Sequence, residues 1–277
     1  MNGSTQLLDK RDFRWLEKKA NAMFRYLVSP ATMMLNLFYA HKGRMIEHYL
    51  LFIGYNRTGS SLLGKFLNVH PEIVVSEASI LKTFFAGGVG KRGYVIRKIL
   101  DKKGLSYPYQ YVPAKVRDQW EGRYSCLRVI GDKSSQFSTH RLYNQPSAID
   151  FLRNVMGVPL KVLCTLRNPY DTLAAKRLRN LPMAKLMPRY LLDYHPTDGE
   201  KHGLAPLPEE RYVLDWFLDF SDKLAKVLSM FSEDEVLLVR LEDFISSPTD
   251  KLRDTCTFLG VECTEDYLDS CAAVVYP

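Results

Sequence analysis

The chain has 277 residues, 46% hydrophobic and 25% charged, the balance of a globular protein with one large domain or two small ones. Intrinsic disorder, collagen and coiled coil are excluded on that balance. The 38 Lys and Arg outnumber 31 Asp and Glu for a net charge of +7, and no basic run exceeds two residues. Such dispersed charge argues against a nucleic-acid tail and leaves an anionic ligand or a membrane surface as partners.

The five cysteines, at 126, 164, 256, 263 and 271, form no C-x-x-C pair. That spacing predicts reduced thiols rather than a disulfide framework or a structural zinc site, and with it a cytoplasmic protein. The first 25 residues carry both charge signs and lack the apolar centre of a signal peptide. Residues 26–40 are apolar but include Pro30 and Asn36 and are too short to span a bilayer. They are expected to form an irregular helix packed on the domain, with membrane-surface contact left open.

In chain order, residues 1–46 read as a helical N-terminal extension and 47–277 as one α/β domain. Short, nearly unbroken apolar runs follow at 49–53, 73–75, 127–130, 162–166 and 236–239. Runs of this kind are the mark of strands covered on both faces, as in a parallel sheet. Between them, Val213, Trp216, Phe220, Leu224, Val227 and Phe231 step by three and four residues, giving one helical stripe. Asn168-Pro169-Tyr170-Asp171 and Ser247-Pro248-Thr249-Asp250 each offer an N-cap, a proline at the first helical position and an early acid. The second of these helices is predicted to stop at Gly260. Residues 181–208, rich in proline, read as a loop over one sheet edge. Strands alternating with helices predict a doubly wound, mostly parallel sheet flanked by helices.

In such sheets ligands bind beyond the carboxyl ends of the strands. The first strand is followed by Gly54-Tyr55-Asn56-Arg57-Thr58-Gly59-Ser60-Ser61, the third by Gly131-Asp132-Lys133, and the fourth by Arg167. A Gly- and Ser-rich helix start beside cations supplies what a phosphate or sulfate needs: amide donors, a positive dipole end and fixed charge. A Walker P-loop requires G-x-x-x-x-G-K-[ST]. Here Ser60 stands at the lysine position after Gly59, and in the overlapping match Phe66 replaces the hydroxyl after Lys65. Neither is a Walker motif.

The run from Gly54 to Gly64, continuing to Asn68-Val69-His70-Pro71-Glu72-Ile73, resembles the 5′-phosphosulfate loop of the PAPS-dependent sulfotransferases, with P-loop-like architecture. Arg57 falls on the family's basic position, and Thr58, Gly59, Ser60 and Ser61 on its phosphate-cradling turn. Arg167-Asn168-Pro169-Tyr170-Asp171 resembles the 3′-phosphate element, and Ile130-Gly131-Asp132-Lys133 a loop of the bacterial-type branch. Arg240-Leu241-Glu242-Asp243-Phe244, Pro248 and Phe258-Leu259-Gly260 resemble the last strand and helix. The likeness covers residues 48–277. Two positions depart from it: Ala175 stands where the family carries a hydroxyl eight residues after the arginine, and the chain stops at Pro277, where many relatives continue into a basic loop. Two expectations stand there, a naturally short C-terminal end and a truncated one.

The resemblance implies transfer of a sulfuryl group from 3′-phosphoadenosine 5′-phosphosulfate (PAPS) to an acceptor hydroxyl or amine, without a metal. The acceptor is a small molecule, carbohydrate or lipid, and nucleic acid is not expected. Arg57 and Glu77 are the expected catalytic residues, as the cation on the bridging oxygen and the base on the acceptor proton. His140 is the alternative base. Arg57, Thr58, Gly59, Ser60, Ser61, Lys133 and Arg167 are the expected donor-binding residues. The blander roles stand beside these: Arg167 in a salt bridge to Asp171, Glu77 as a helix cap, Lys133 as a solvated loop lysine, and His70 as a structural helix end. Lys176, Arg177, Arg179, Lys185 and Arg189 read as a solvated face that could receive an anionic acceptor. A non-catalytic nucleotide-binding scaffold and a P-loop small-molecule kinase are the alternative functions.

Overall fold

The computed structural model describes residues 30–81, 91–102, 116, 119–120, 122–180 and 210–275. Residues 1–29 of the extension and the loop at 181–208 lie outside the described residues.

Among the described residues five strands form one sheet: β1 (His48–Gly54), β2 (Ile73–Ser76), β3 (Val129–Asp132), β4 (Leu160–Leu166) and β5 (Val236–Arg240). Their order is β2-β3-β1-β4-β5, and every pairing is parallel. The helices are α1 (Pro30–Lys42), α2 (Ser60–Asn68), α3 (Arg92–Lys102), α4 (Ser135–Asn144), α5 (Ala148–Met156), α6 (Pro169–Asn180), α7 (Glu210–Leu228), α8 (Leu241–Ser246), α9 (Pro248–Phe258) and α10 (Glu265–Val275).

Alternation along β1 explains why the sheet needs helices on both faces. Tyr49, Leu51 and Ile53 enter a core with residues of α3, α4, α5 and α7. Leu50 and Phe52 enter a second core with residues of α2, α9 and α10. Side chains of successive strand residues point to opposite faces, so an unbroken apolar run feeds two cores at once. β1 lies centrally between β3 and β4, where the strand order reverses, and such a switch point opens a crevice at the carboxyl ends.

Two strand expectations shift. β3 carries Gly131 and Asp132 inside the strand rather than in the loop after it. Gly131 fits there because a Cβ would press within 3.1 Å of Leu50 on β1. β5 is an edge strand, with Leu238 exposed, so its unbroken run is covered less than the runs of the central strands.

The expectation of five reduced thiols is also corrected. Cys256 and Cys263 form a disulfide with Cα atoms 6.3 Å apart. Gly260, in the left-handed region at φ 67°, ends α9 and turns the chain so that Cys263 returns against its last turn. A pair seven residues apart has no C-x-x-C signature, so spacing alone missed it. Cys126, Cys164 and Cys271 are free.

Candidate functional site

The loop between β1 and α2 is built by backbone geometry that only a few residues tolerate. Gly54 has φ 118° and Gly59 has φ 84°, both in the region that favours glycine. A Cβ on Gly54 would lie 2.9 Å from the Thr165 carbonyl, and one on Gly59 would lie 2.5 Å from Leu241 Cδ1. The Gly54 amide donates to Thr139 Oγ1 at 2.9 Å. Buried Thr58 donates its hydroxyl to the Tyr55 carbonyl at 2.9 Å and lies 2.7 Å from Thr165 Oγ1. With the Thr58 proton so committed, Thr165 is the donor in the second bond.

Gly59 is the N-cap of α2 and supplies no side-chain cap. The first amides of a helix have no intrahelical acceptor and sit at its positive end. Arg57, which precedes this turn, is exposed and adopts φ 73°. A non-glycine residue there stores strain, a feature that concentrates at functional sites.

Glu77, Lys133 and Ser61 converge. The Lys133 ammonium donates to Ser61 Oγ at 3.0 Å and pairs with the Glu77 carboxylate. Lys133 is 7% exposed, so it is no solvated loop lysine. Burial pushes its pKa down, while Glu77 and then Asp132 act to raise it. Its stem lies over α2: a Cβ on Gly64 would approach Lys133 Cδ to 2.6 Å.

Asp132, fully buried, organises the segment after β2. Its carboxylate accepts from the amides of Ser79 at 3.1 Å and Ile80 at 2.6 Å, and from the Ser134 hydroxyl at 2.9 Å. Burial nonetheless pushes its pKa up to about 6.

On the other side of β1, Arg167 Nη1 donates to the Arg57 carbonyl at 3.2 Å, tying together two elements 110 residues apart. The described ion pairs do not include one from Arg167 to Asp171. Asn168 caps α6 by accepting the Tyr170 amide at 2.9 Å, and its own amide donates to Glu242 Oε1 at 2.6 Å. Burial acts to raise the Glu242 pKa, but the Asn168 amide, Arg240 and Arg167 hold it below its ordinary value. A cleft of about 460 Å³ opens here, with Tyr55, Arg167, Phe217, Ser221 and Arg240 in its lining. Tyr55 and Phe217 stack at 4.7 Å.

Arg240 is a site residue that sequence reasoning misses. It ends β5, so the strand-end rule that found Arg167 would have found it too. His140 sits one residue beyond Thr139 on α4, but its ring packs edge-on against Phe220 at 5.0 Å. Burial, with help from Lys223, lowers its pKa. Ala175 lies on α6, half-buried. The side chains of Lys176, Arg177 and Arg179, and residues 185 and 189, lie outside what is described. His70 is structural: Nδ1 accepts the Glu72 amide at 3.1 Å, so Nε2 donates to the Glu262 carbonyl at 2.9 Å. His70, Cys256 and Cys263 are close enough to suggest a metal cluster, but both ring nitrogens and both sulfurs already have these partners.

The family model described as "Sulfotransferase domain" matches residues 47–275. Among curated protein sequences no relative matches. Similar solved structures include a sulfotransferase from Alicyclobacillus acidocaldarius, at 18% identity over 79% of this chain and 87% of that one, with TM-score 0.44. Sulfotransferase STF9 from Mycobacterium avium is similar at 12% identity over 97% of this chain and 77% of that one, also with TM-score 0.44. Mouse sulfotransferase SULT7A1, solved with PAP, is similar at 14% identity over 87% of this chain and 66% of that one, with TM-score 0.40.

Proposed function

As the chain belongs to the sulfotransferase domain family, we propose that it moves a sulfuryl group from PAPS to an acceptor hydroxyl or amine. The observation that carries this reading is the buried Lys133 ammonium, joined to Ser61 at the start of α2 and to Glu77 after β2. It sets a fixed cation and a carboxylate beside an uncapped helix N-terminus, where anion binding and proton removal are both needed.

PAPS is the co-substrate, and the residues suit its charges. The turn of Thr58, Gly59, Ser60 and Ser61 would hold the 5′-phosphosulfate through helix amides, with Arg57 and Lys133 as cations. Arg167 would take the 3′-phosphate, joined by Arg240 from across the shared cleft. Alanine at 175 leaves that phosphate one hydroxyl fewer, and the second arginine offsets the loss.

The transfer is a displacement at sulfur. The acceptor oxygen or nitrogen forms a bond to sulfur as the bond from sulfur to the bridging oxygen breaks. The acceptor proton passes to a Glu77 carboxylate oxygen, and the leaving phosphate oxygen keeps the bond's electrons. Charge grows on that oxygen, where Arg57 is positioned to meet it. Lys133 orients the Glu77 carboxylate and adds a second cation nearby. His140 is the weaker base because its ring is turned against α7.

Thermal unfolding with ligands tests the donor class. With 3′,5′-adenosine bisphosphate at 100 times its Kd and no magnesium, stabilisation should be about 2.7 kcal/mol, or roughly 5–10 °C. Greater stabilisation by ATP with magnesium would instead favour the kinase.

A further inference from the structure

Helix α1 is built inside out. On its inner side Thr32 and Asn36 are 4% and 5% exposed, while Met34 and Leu37 on the outer side are 73% and 68% exposed. Helical geometry makes these two faces continuous. Residues 32, 36, 39 and 43 follow one line, and residues 30, 34, 37, 38 and 41 the opposite one.

Close packing against α3 fixes this orientation. A Cβ on Gly93 would fall 1.8 Å from the Asn36 carbonyl oxygen, and one on Gly43 would fall 2.4 Å from Ile96 Cδ1. Gly93 therefore lets α3 meet the α1 backbone directly, and Gly43 makes room for the Ile96 side chain. Asn36 Oδ1 is buried there without a hydrogen-bond partner. A helix positioned by interior hydrophobic packing would turn Met34, Leu37 and Phe38 inward and Asn36 outward. Here the expensive choice is made twice, with a polar atom buried and large apolar side chains left in water.

The surroundings say what covers the face. From Pro30 to Ile46 the chain contains no Asp or Glu, while His41, Lys42 and Arg44 lie at its C-terminal end. All three are exposed, as is Met45 just beyond them. The Lys42 ammonium sits 4.8 Å from the centre of the exposed Phe38 ring, so charge and apolar surface are presented together. The nearest described carboxylates are engaged, Asp101 by the Tyr39 hydroxyl and Glu47 by Arg128, and apolar side chains rimmed by cations are complementary to the headgroup boundary of an anionic bilayer. The helix has 13 residues and no described helix is long and apolar enough to cross a membrane. The geometry is therefore that of a helix lying on the surface rather than spanning it.

We infer that α1 docks the protein on anionic lipid membranes, inserting Met34, Leu37 and Phe38 among the lipid chains while Lys42 and Arg44 meet the headgroups. The chain leaves α1 through Arg44 and Ile46 into His48, the first residue of β1. The C-terminal end of the helix is thus at the amino edge of the sheet, opposite the strand ends that carry Arg57 and Arg167. Docking and the reaction site occupy different ends of the fold.

Cosedimentation of the full chain with vesicles tests this. The probe is phosphatidylcholine vesicles containing about a third phosphatidylglycerol, beside vesicles of phosphatidylcholine alone. The wild type should bind the anionic vesicles, less so as salt rises. The triple variant Met34→Ser, Leu37→Ser, Phe38→Ser should bind about tenfold or more weakly. Lys42→Glu with Arg44→Glu should lose binding while the apolar face is intact. Because every substituted side chain is exposed, unchanged circular dichroism and melting temperature verify the fold. Failure of the wild type to bind, or equal binding by the triple variant, overturns the inference. So does a wild-type dimer in sedimentation velocity that the triple variant abolishes, which would assign the face to a second copy of the chain.

Discussion

Lys133 Nζ donates to Ser61 Oγ at 3.0 Å, joining residues 72 positions apart in sequence. Ser61 belongs to the first turn of α2, and Lys133 directly follows β3. The contact therefore locks the helix that opens the candidate donor site to the strand beside it. It exists because Gly64, one turn further along α2, leaves room for the lysine stem.

Gly64→Ala should accordingly uncouple fold from activity. Alanine favours the helix by up to about 1 kcal/mol over glycine, but its Cβ occupies the path of Lys133 Cδ and Cγ. The ammonium then leaves Ser61 and Glu77. The expected outcome is a melting temperature within a few degrees of wild type and turnover lowered by about tenfold or more, as for displaced catalytic groups. Wild-type turnover in a folded Gly64→Ala protein would show that the position of Lys133 is unimportant.

Arg57 carries opposite consequences for stability and function. At φ 73° its backbone suits glycine better than any residue with a Cβ. Arg57→Gly should leave thermal stability equal or raise it, by up to about 1 kcal/mol. The same substitution removes the cation, so affinity for 3′,5′-adenosine bisphosphate and turnover should fall together. Calorimetric titration and denaturant unfolding on one preparation check both signs. A destabilised protein with full donor affinity would reverse the assignment.

Much of this architecture can be read from residues alone. The five strands are visible because a central parallel strand must be apolar on both faces. The α6 and α9 starts are visible because Asn168-Pro169 and Ser247-Pro248 write their caps locally. What sequence conceals is contact between distant segments. Lys133 looks like a loop lysine until the chain folds it over Gly64, and the Cys256–Cys263 bond depends on the turn at Gly260. Arg240 is readable in sequence as the end of β5, but only the β4–β5 pairing shows that it shares the cleft with Arg167. The inverted face of α1 contradicts the rule that apolar residues turn inward, so periodicity cannot assign its orientation.

Asp132 makes stability depend on pH. Burial raises its pKa from 3.8 to about 6, so the folded state binds the proton more tightly than the unfolded chain. Its contribution is therefore most favourable below pH 3.8 and is lost as pH rises through about 6. A change of that size corresponds to about 3 kcal/mol. Asp132→Asn lacks this titration. The stability of wild type minus that of the variant should be larger at pH 4.5 than at pH 8, with the change centred between pH 4 and 6. A difference independent of pH would place the Asp132 carboxyl in a far more polar setting.

If Glu77 accepts the acceptor's proton during sulfuryl transfer from PAPS, as proposed above, replacing its carboxylate must slow product formation. Wild type and Glu77→Gln are incubated with PAPS labelled in the sulfuryl group and a panel of hydroxyl and amine acceptors, and labelled product is counted. Glutamine keeps the shape of Glu77 and can still accept a hydrogen bond from Lys133, but it cannot take a proton at neutral pH. Wild type should form product, and Glu77→Gln should form it about 10²–10⁴-fold more slowly while binding 3′,5′-adenosine bisphosphate with near wild-type affinity. Turnover above about a tenth of wild type in the variant would contradict the assignment of the base and turn attention to His140. No labelled product from wild type, in the presence of tight bisphosphate binding, would contradict the enzyme itself and leave a nucleotide-binding scaffold on this fold.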